Sequence, residues 1–340
     1  MSDLPIPRGR FFAGFTPPET LDKVFRAPGY AEEVHRCARP RPGCDQTALR
    51  SRAIDLEAGM PRYWDTRDQR PRGTCTAFAV AACVDILQAQ GGAASISNVS
   101  SGRPKTGQAP VLHSPEYLYW HMRAAITADE AAVLPDYDKG ATKLLQAHKV
   151  LTSHGICTEA LAPYQTHDLH RGLFARHPPS EAAEAEAAMR RFLPVKYEDF
   201  EQGPVPDTTA DTILQELSQG RPVALGLPVF TLKNSHKSNW TYNGALNSGI
   251  VFDPVARPDL VDRDQRVSGH CVCVTGFQPG PEELGGGWFI FRNSWTGNFG
   301  KYPDLPVGGY PAIGRRGNGA VSLDYVNGYT VEYLSLIPTD

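Results

Sequence analysis

Between residues 74 and 90 the chain reads TCTAFAVAACVDILQAQ, an almost unbroken apolar run closed by Gly91-Gly92. That length and lack of a polar face predict a helix buried on most sides rather than a surface helix. A second helix is predicted over 114–126, where Ser114 can cap and Pro115 takes the first helical position. Over 141–155 the residues Leu144, Leu145, Ala147, His148 and Leu151 make a helical stripe that stops at Gly155. Short helical candidates stand near 18–26 and 30–37, a polar helix over 180–192, and an amphipathic one over 209–220. The pattern then turns β-like: PVALGLPVF (222–230), HCVCVTGF (270–277), GWFIFRNSW (287–295) and GYTVEYLSLI (328–337), divided by Gly, Pro, Asn and Asp. A helical half followed by a mostly antiparallel sheet is an α+β arrangement.

The division expected is an N-terminal extension (1–60), a helical lobe (61–165) and a β-rich lobe (166–340). The Pro- and Arg-rich extension has weak periodicity and reads as a segment laid over something else, partly covering a cleft or packed behind a lobe. The small-residue stretch 91–110 reads as a loop.

Composition narrows the classes. With 340 residues, 41% hydrophobic and 9% aromatic, the chain can bury a sizeable core. A net charge of −3 and the absence of a Lys/Arg run give no basis for nucleic-acid binding. No apolar window reaches membrane-spanning length, and the first 15 residues lack the apolar core of a Sec signal peptide. Seven scattered cysteines, with Cys83 in a helix and Cys271 and Cys273 in a strand, suit free thiols in a reducing compartment. A cytoplasmic location, or export by a non-Sec route, is expected.

Cys75 stands where Gly73-Thr74 hands over to the apolar helix. Unsatisfied N–H groups at a helix start stabilise a thiolate, so Cys75 is either a nucleophile or a small buried hydrophobe. Gln69 precedes it by six residues, His270 opens a β run after Ser268-Gly269, and Asn293 lies two residues before Trp295. Cys, His and Asn in that order supply nucleophile, base and orienting group.

The blocks PRYWDTRDQRPRGTCTAFA, SPEYLYW, DKGATKLLQAHKVLTSHGICTEALAPY, SGHCVCVTGF and GWFIFRNSW, together with LQELSQGRPVALGLPVF, occur in the order found in papain-like cysteine peptidases. The sequence resembles a bacterial-type member of that family over roughly 61–335. The resemblance implies a two-lobe fold with a cleft and a cysteine endopeptidase acting on protein or peptide. In it, Cys75 would be the nucleophile, His270 the base and acid, and Asn293 the orienting group. Gln69 would form the oxyanion hole with the Cys75 N–H, and Trp295 would shield the Asn293–His270 bond. Gly73, Gly140 and Gly269 would meet substrate, although Gly140 also reads as a plain turn. The same thioester chemistry also allows acyl transfer or deamidation, and the fold could serve binding alone.

The sequence departs from the family at several positions. Arg72 occupies the place of a disulfide cysteine, and Thr76 that of an aromatic. His270 and Asn293 follow Cys75 by 195 and 218 residues, beyond the usual spacing of about 130–150. No cofactor or metal is expected: His167, His170 and His177 read as solvated surface, and Cys37 and Cys44 as incidental thiols.

Overall fold

The computed structural model describes residues 46–58, 66–90, 111–133, 140–165, 178–200, 203–282, 286–304 and 312–338. The helical candidates near 18–26 and 30–37, the stretch 91–110, Cys37, Cys44, His167, His170 and His177 lie outside them. The described elements, in chain order, are α1 (Gln46–Arg50), β1 (Ile54–Asp55), α2 (Cys75–Ala89), α3 (Pro115–Ala124), α4 (Ala128–Val133), α5 (Leu144–Ser153), α6 (Glu181–Ala187), β2 (Phe192–Asp199), α7 (Thr209–Ser218), β3 (Val223–Leu232), α8 (Asn243–Ser248), β4 (Ile250–Val251), β5 (Val261–Pro279), β6 (Gly287–Arg292), β7 (Asn318–Ser322), α9 (Leu323–Tyr329) and β8 (Glu332–Pro338).

The strands form one sheet in the order β2-β8-β3-β5-β6-β7-β4, with β1 paired to β5. All pairs are antiparallel except β4 with β7. Successive strand residues face opposite ways, and both faces are covered. Ala224, Cys271, Cys273, Leu334 and Leu336 pack with Val80, Val84, Leu118, Leu144 and Leu151 of the helices. Leu225, Leu227, Val272 and Val274 join a second core with Leu214, Leu217, Phe289, Phe291 and Tyr325. Central strands covered on both sides therefore read as continuous apolar runs, not alternations. Pro228 is tolerated inside β3 because β8 pairs only as far as Gly226.

The helix at the apolar run and the helix behind Ser114 fall where the pattern places them; Ser114 Oγ accepts from the Tyr117 N–H at 2.9 Å. Two segments differ. The polar helix ends at Ala187, and the next residues become edge strand β2, whose Pro194 sits at a bulge and whose half-buried charges hid the alternation. The run 328–337 begins as a strand only at Glu332, because Ser322 caps a helix over the preceding turn.

Residues 46–58, part of the expected extension, pack on the sheet. Arg50 pairs with Asp211 of α7 at 2.7 Å. Glu57 is buried and accepts from Thr275 Oγ1 (2.7 Å), Arg292 (2.7 Å) and Asn318 Nδ2 (2.9 Å), with Arg315 at 3.2 Å. Burial alone would raise its carboxyl pKa; Arg292, Arg315 and these hydrogen bonds hold it below the usual value. Removing this carboxylate takes from Thr275 and Asn318 the acceptor they share and from Arg292 its ion pair, while Arg315 keeps Asp55 and the Glu57 carbonyl. Glu57→Ala is expected to lower unfolding free energy by about 3–5 kcal/mol, measured by denaturant titration; a loss under about 1 kcal/mol would contradict this account.

Candidate active site

Cys75 is the first residue of α2, a 15-residue helix whose amide dipoles sum to partial positive charge at this end. Thr74 occupies the cap position without capping through its side chain; its Oγ1 lies 2.8 Å from Tyr164 Oη. Cys75 is 3% exposed. Burial pushes its thiol up, opposed by the N–H of Cys271, the hydroxyl and N–H of Thr76, and its own N–H. Thr76, the small residue beside Cys75, is fully buried, with its hydroxyl 3.3 Å from the Thr142 carbonyl.

The contact with Cys271 joins the two halves, since Cys271 directly follows His270 in β5. Strand alternation sends Cys271 toward α2 and His270 toward the sheet half's own core. There the His270 ring lies between indoles: Trp295 stacks at 4.5 Å and Trp240 meets it edge-on at 5.1 Å. His270 Nε2 is 2.7 Å from Asn293 Oδ1. An amide oxygen only accepts, so Nε2 carries the hydrogen and Nδ1 is the basic nitrogen of the neutral ring. Asn293 Oδ1 also accepts from the Ser294 N–H at 2.8 Å, which fixes which end of the amide faces the imidazole. Burial lowers His270 to about 4, partly countered by Asn293.

Gln69 is tied to the same loop. Its N–H donates to the Ser294 carbonyl at 2.8 Å, and its Oε1 accepts from Ser294 Oγ. Its Nε2 donates to the Arg72 carbonyl at 3.0 Å. One N–H of the amide is thereby used and the other remains on the same nitrogen. Gly73 is buried beside Thr74. Gly269 is buried opposite Pro228 in the β3–β5 ladder. Gly140 has φ +97°, which by itself accounts for glycine there, and its carbonyl accepts from Tyr119 Oη at 3.0 Å.

Three residues of this neighbourhood escaped sequence reasoning. Trp240 lies between the predicted strands 222–230 and 270–277, where no element was expected. Glu116 forms a two-point ion pair with Arg72, whose second contact is 3.0 Å. Tyr164 Oη donates to the Gln69 carbonyl at 2.6 Å. The Arg72 guanidinium lies 5.2 Å from the Tyr119 ring and 4.8 Å from the Tyr164 ring. Where a disulfide was the family expectation, a buried ion pair between aromatic rings thus holds the loop before α2. Nothing local marked it, since Arg72 stands in the polar stretch DQRPRGT; only its burial shows that the guanidinium requires a carboxylate. The free cysteines among the described residues are Cys75, Cys83, Cys157, Cys271 and Cys273, with Cys83 and Cys273 sulfurs 3.4 Å apart.

Two measurements test this geometry. Glu116→Ala is expected to cost about 3–5 kcal/mol in denaturant unfolding, whereas Arg72→Met combined with Glu116→Leu recovers most of that loss; equal losses in both would reject the pair. His270 is held at about 4 against an ordinary 6.5, so the unfolded chain takes up a proton that the native one refuses. Its contribution is complete above pH 6.5 and disappears as pH falls toward 4, a loss of about 3 kcal/mol. Unfolding free energies at pH 7.5 and 4.5 should converge by about 2–3 kcal/mol in His270→Gln relative to wild type.

No protein-family model matches the sequence, and no curated protein matches it. Solved structures do. Xylellain, a cysteine protease from Xylella fastidiosa, is similar with a TM-score of 0.60 and 17% identity, over 99% of this chain and 100% of that one. The Amb a 11 cysteine protease of ragweed pollen, in its proform, matches at 0.50 and 16%, over 97% and 77%. Digestive procathepsin L 3 of Tenebrio molitor larval midgut matches at 0.49 and 15%, over 85% and 69%. The chain has the mixed α/β architecture of the papain-like fold.

Proposed function

We propose that the protein is a cysteine peptidase that cleaves peptide bonds through a thioester acyl-enzyme, with Cys75 as nucleophile, His270 as base and acid, and Asn293 as the group that orients His270. The observation that carries this reading is the 2.7 Å bond between His270 Nε2 and Asn293 Oδ1, with Cys75 packed in the same core as Cys271, the residue next to His270. The bond leaves Nδ1 for proton transfer, and the thiol sits where helix N–H groups favour negative charge.

In the reaction that follows, the Cys75 proton passes to His270 Nδ1 while sulfur attacks the scissile carbonyl carbon. The carbonyl electrons move onto oxygen. The Cys75 N–H and the second N–H of Gln69 Nε2 supply the donors for that oxyanion. Collapse breaks the C–N bond, and the imidazolium returns its proton to the leaving amine. Water, deprotonated by His270, then attacks the thioester, releasing the acid and restoring the thiol. Trp295 and Trp240 keep water from the Asn293–His270 bond, which strengthens the orientation of the ring.

The substrate in this reading is a protein or peptide held in extended form, with Gly73, Gly140 and Gly269 as the backbone positions that would meet it. Thr76 leaves less bulk beside the sulfur than an aromatic would.

A fluorogenic peptide panel, with an epoxide-type thiol label, tests the reading. Wild type is expected to cleave at least one substrate and to take one label at Cys75, while Cys75→Ala does neither. Gln69→Ala should lower kcat about 10²–10³-fold while the label still reacts. Equal inertness of wild type and Cys75→Ala, with no labelling, rejects peptidase activity. A one-dalton gain on an uncleaved protein substrate would reassign the same site to deamidation.

A further inference from the structure

Outside the Cys75 site, three side chains from three separate elements meet on the helical half. His121 stands in the last turn of α3, His154 caps the C-terminus of α5, and Glu184 lies in α6. We propose that His121, His154 and Glu184 form a binding site for a divalent transition-metal ion, zinc by the chemistry of its donors.

One ligand atom from each residue lies within 4.8 Å of the other two. His121 Nε2 and Glu184 Oε1 are 2.9 Å apart, and the two imidazole rings stack at 4.2 Å with 27° between their planes. A tetrahedral zinc with bonds of about 2.0–2.2 Å separates its ligand atoms by roughly 3.4 Å. Bringing these donors to that spacing needs only small side-chain movements. His154 is the exposed member, so it has the freedom to move and leaves room for water at the fourth position.

The surroundings hold the other two ligands in place. Tyr117, one turn before His121, lies against its ring at 4.6 Å, while its Oη donates to Glu184 Oε2 at 2.7 Å. That bond orients the carboxylate and keeps Oε1, the oxygen paired with His121 Nε2, turned toward the two imidazoles, as outer hydrogen bonds do in metal sites. A carboxylate only accepts, so without metal His121 Nε2 donates its hydrogen to Glu184 Oε1; an entering ion displaces that proton to solvent and takes its place between the two atoms.

The backbone explains why His154 arrives there at all. Gly155 has φ +83°, and a Cβ on it would collide with the Ala187 and Arg190 carbonyls. Its missing side chain lets the end of α5 abut the end of α6, where the Ile156 N–H donates to Arg190 O at 3.1 Å. Two imidazoles and one carboxylate suit zinc and its neighbours in the first transition row. They do not suit magnesium or calcium, which take oxygen donors. Bound metal would join α3, α5 and α6 at the end of α3 opposite Glu116.

The test uses the full chain with Cys75→Ala, so that the thiol cannot compete as a ligand. Titration with zinc is expected to show one more tight equivalent in this protein than in the same chain also carrying His154→Ala. His154 is exposed, so that change leaves folding intact, as circular dichroism would check. Cobalt(II) should give the visible absorption of a four-coordinate site, lost with His154→Ala and with Glu184→Gln. Zinc should raise the melting temperature of the first protein and not the second. Equal zinc stoichiometry and equal melting shifts in the two proteins would overturn the site.

Discussion

The arrangement depends on a short seam between two distant stretches of chain. The Gln69 N–H meets the Ser294 carbonyl at 2.8 Å, the Thr296 N–H meets the Arg67 carbonyl at 3.2 Å, and Asp68 bridges Trp295. This seam ties the loop before α2 to the loop after β6. Cys75 follows Gln69 of the first loop by six residues, and Asn293 begins the second. Without the seam, the helix start and the imidazole would belong to separate cores with only side-chain packing to register them. With it, the Gln69 amide, the Asn293 amide and the first turn of α2 share one rigid frame. Such a frame serves a reaction in which donors must be aimed before charge develops.

Buried charge supports that frame from both sides. Arg72 with Glu116 holds the loop against α3, and Glu57 with Arg292 and Arg315 holds the N-terminal strand against β5, β6 and β7. Desolvating these ions costs several kcal/mol each, so their worth lies in geometry as much as in net stability. The described cysteines are thiols, and ion pairs do the cross-linking at the loop where the family resemblance implied a disulfide. His270 is a different case. It is buried among indoles as a neutral ring, which costs little at neutral pH and becomes unfavourable only on acidification.

Much of this was legible in the residues, and the failures have identifiable causes. The α2 run, the Ser114-Pro115 start and the β3 and β6 strands carry patterns strong enough to survive without context. Edge strand β2 was missed because one face is solvated and Pro194 interrupts it, so its eight residues resemble a charged tail to a helix. Trp240 was missed because nothing local marks an indole in a loop as the lid of an imidazole 30 residues later. The helix α6 read only as polar, yet Glu184 and Glu186 are engaged with Tyr117, His121, Thr158 and Arg190. A glutamate pattern states charge, not which cations and donors will lie opposite it.

Order along the chain was enough to single out Cys75, Gln69, His270 and Asn293 as candidates, because each sits in a local signal: a helix start, a turn, a strand, a strand end. Those signals arise from short-range sterics and hydrogen bonding, which a sequence carries directly. Which ring nitrogen of His270 bonds Asn293, which carboxylate partners Arg72, and how His121, His154 and Glu184 come together are settled only when elements far apart in the chain pack. Each of those outcomes depends on burial and on the direction of a side chain across an interface, and neither quantity exists until the two surfaces are in contact.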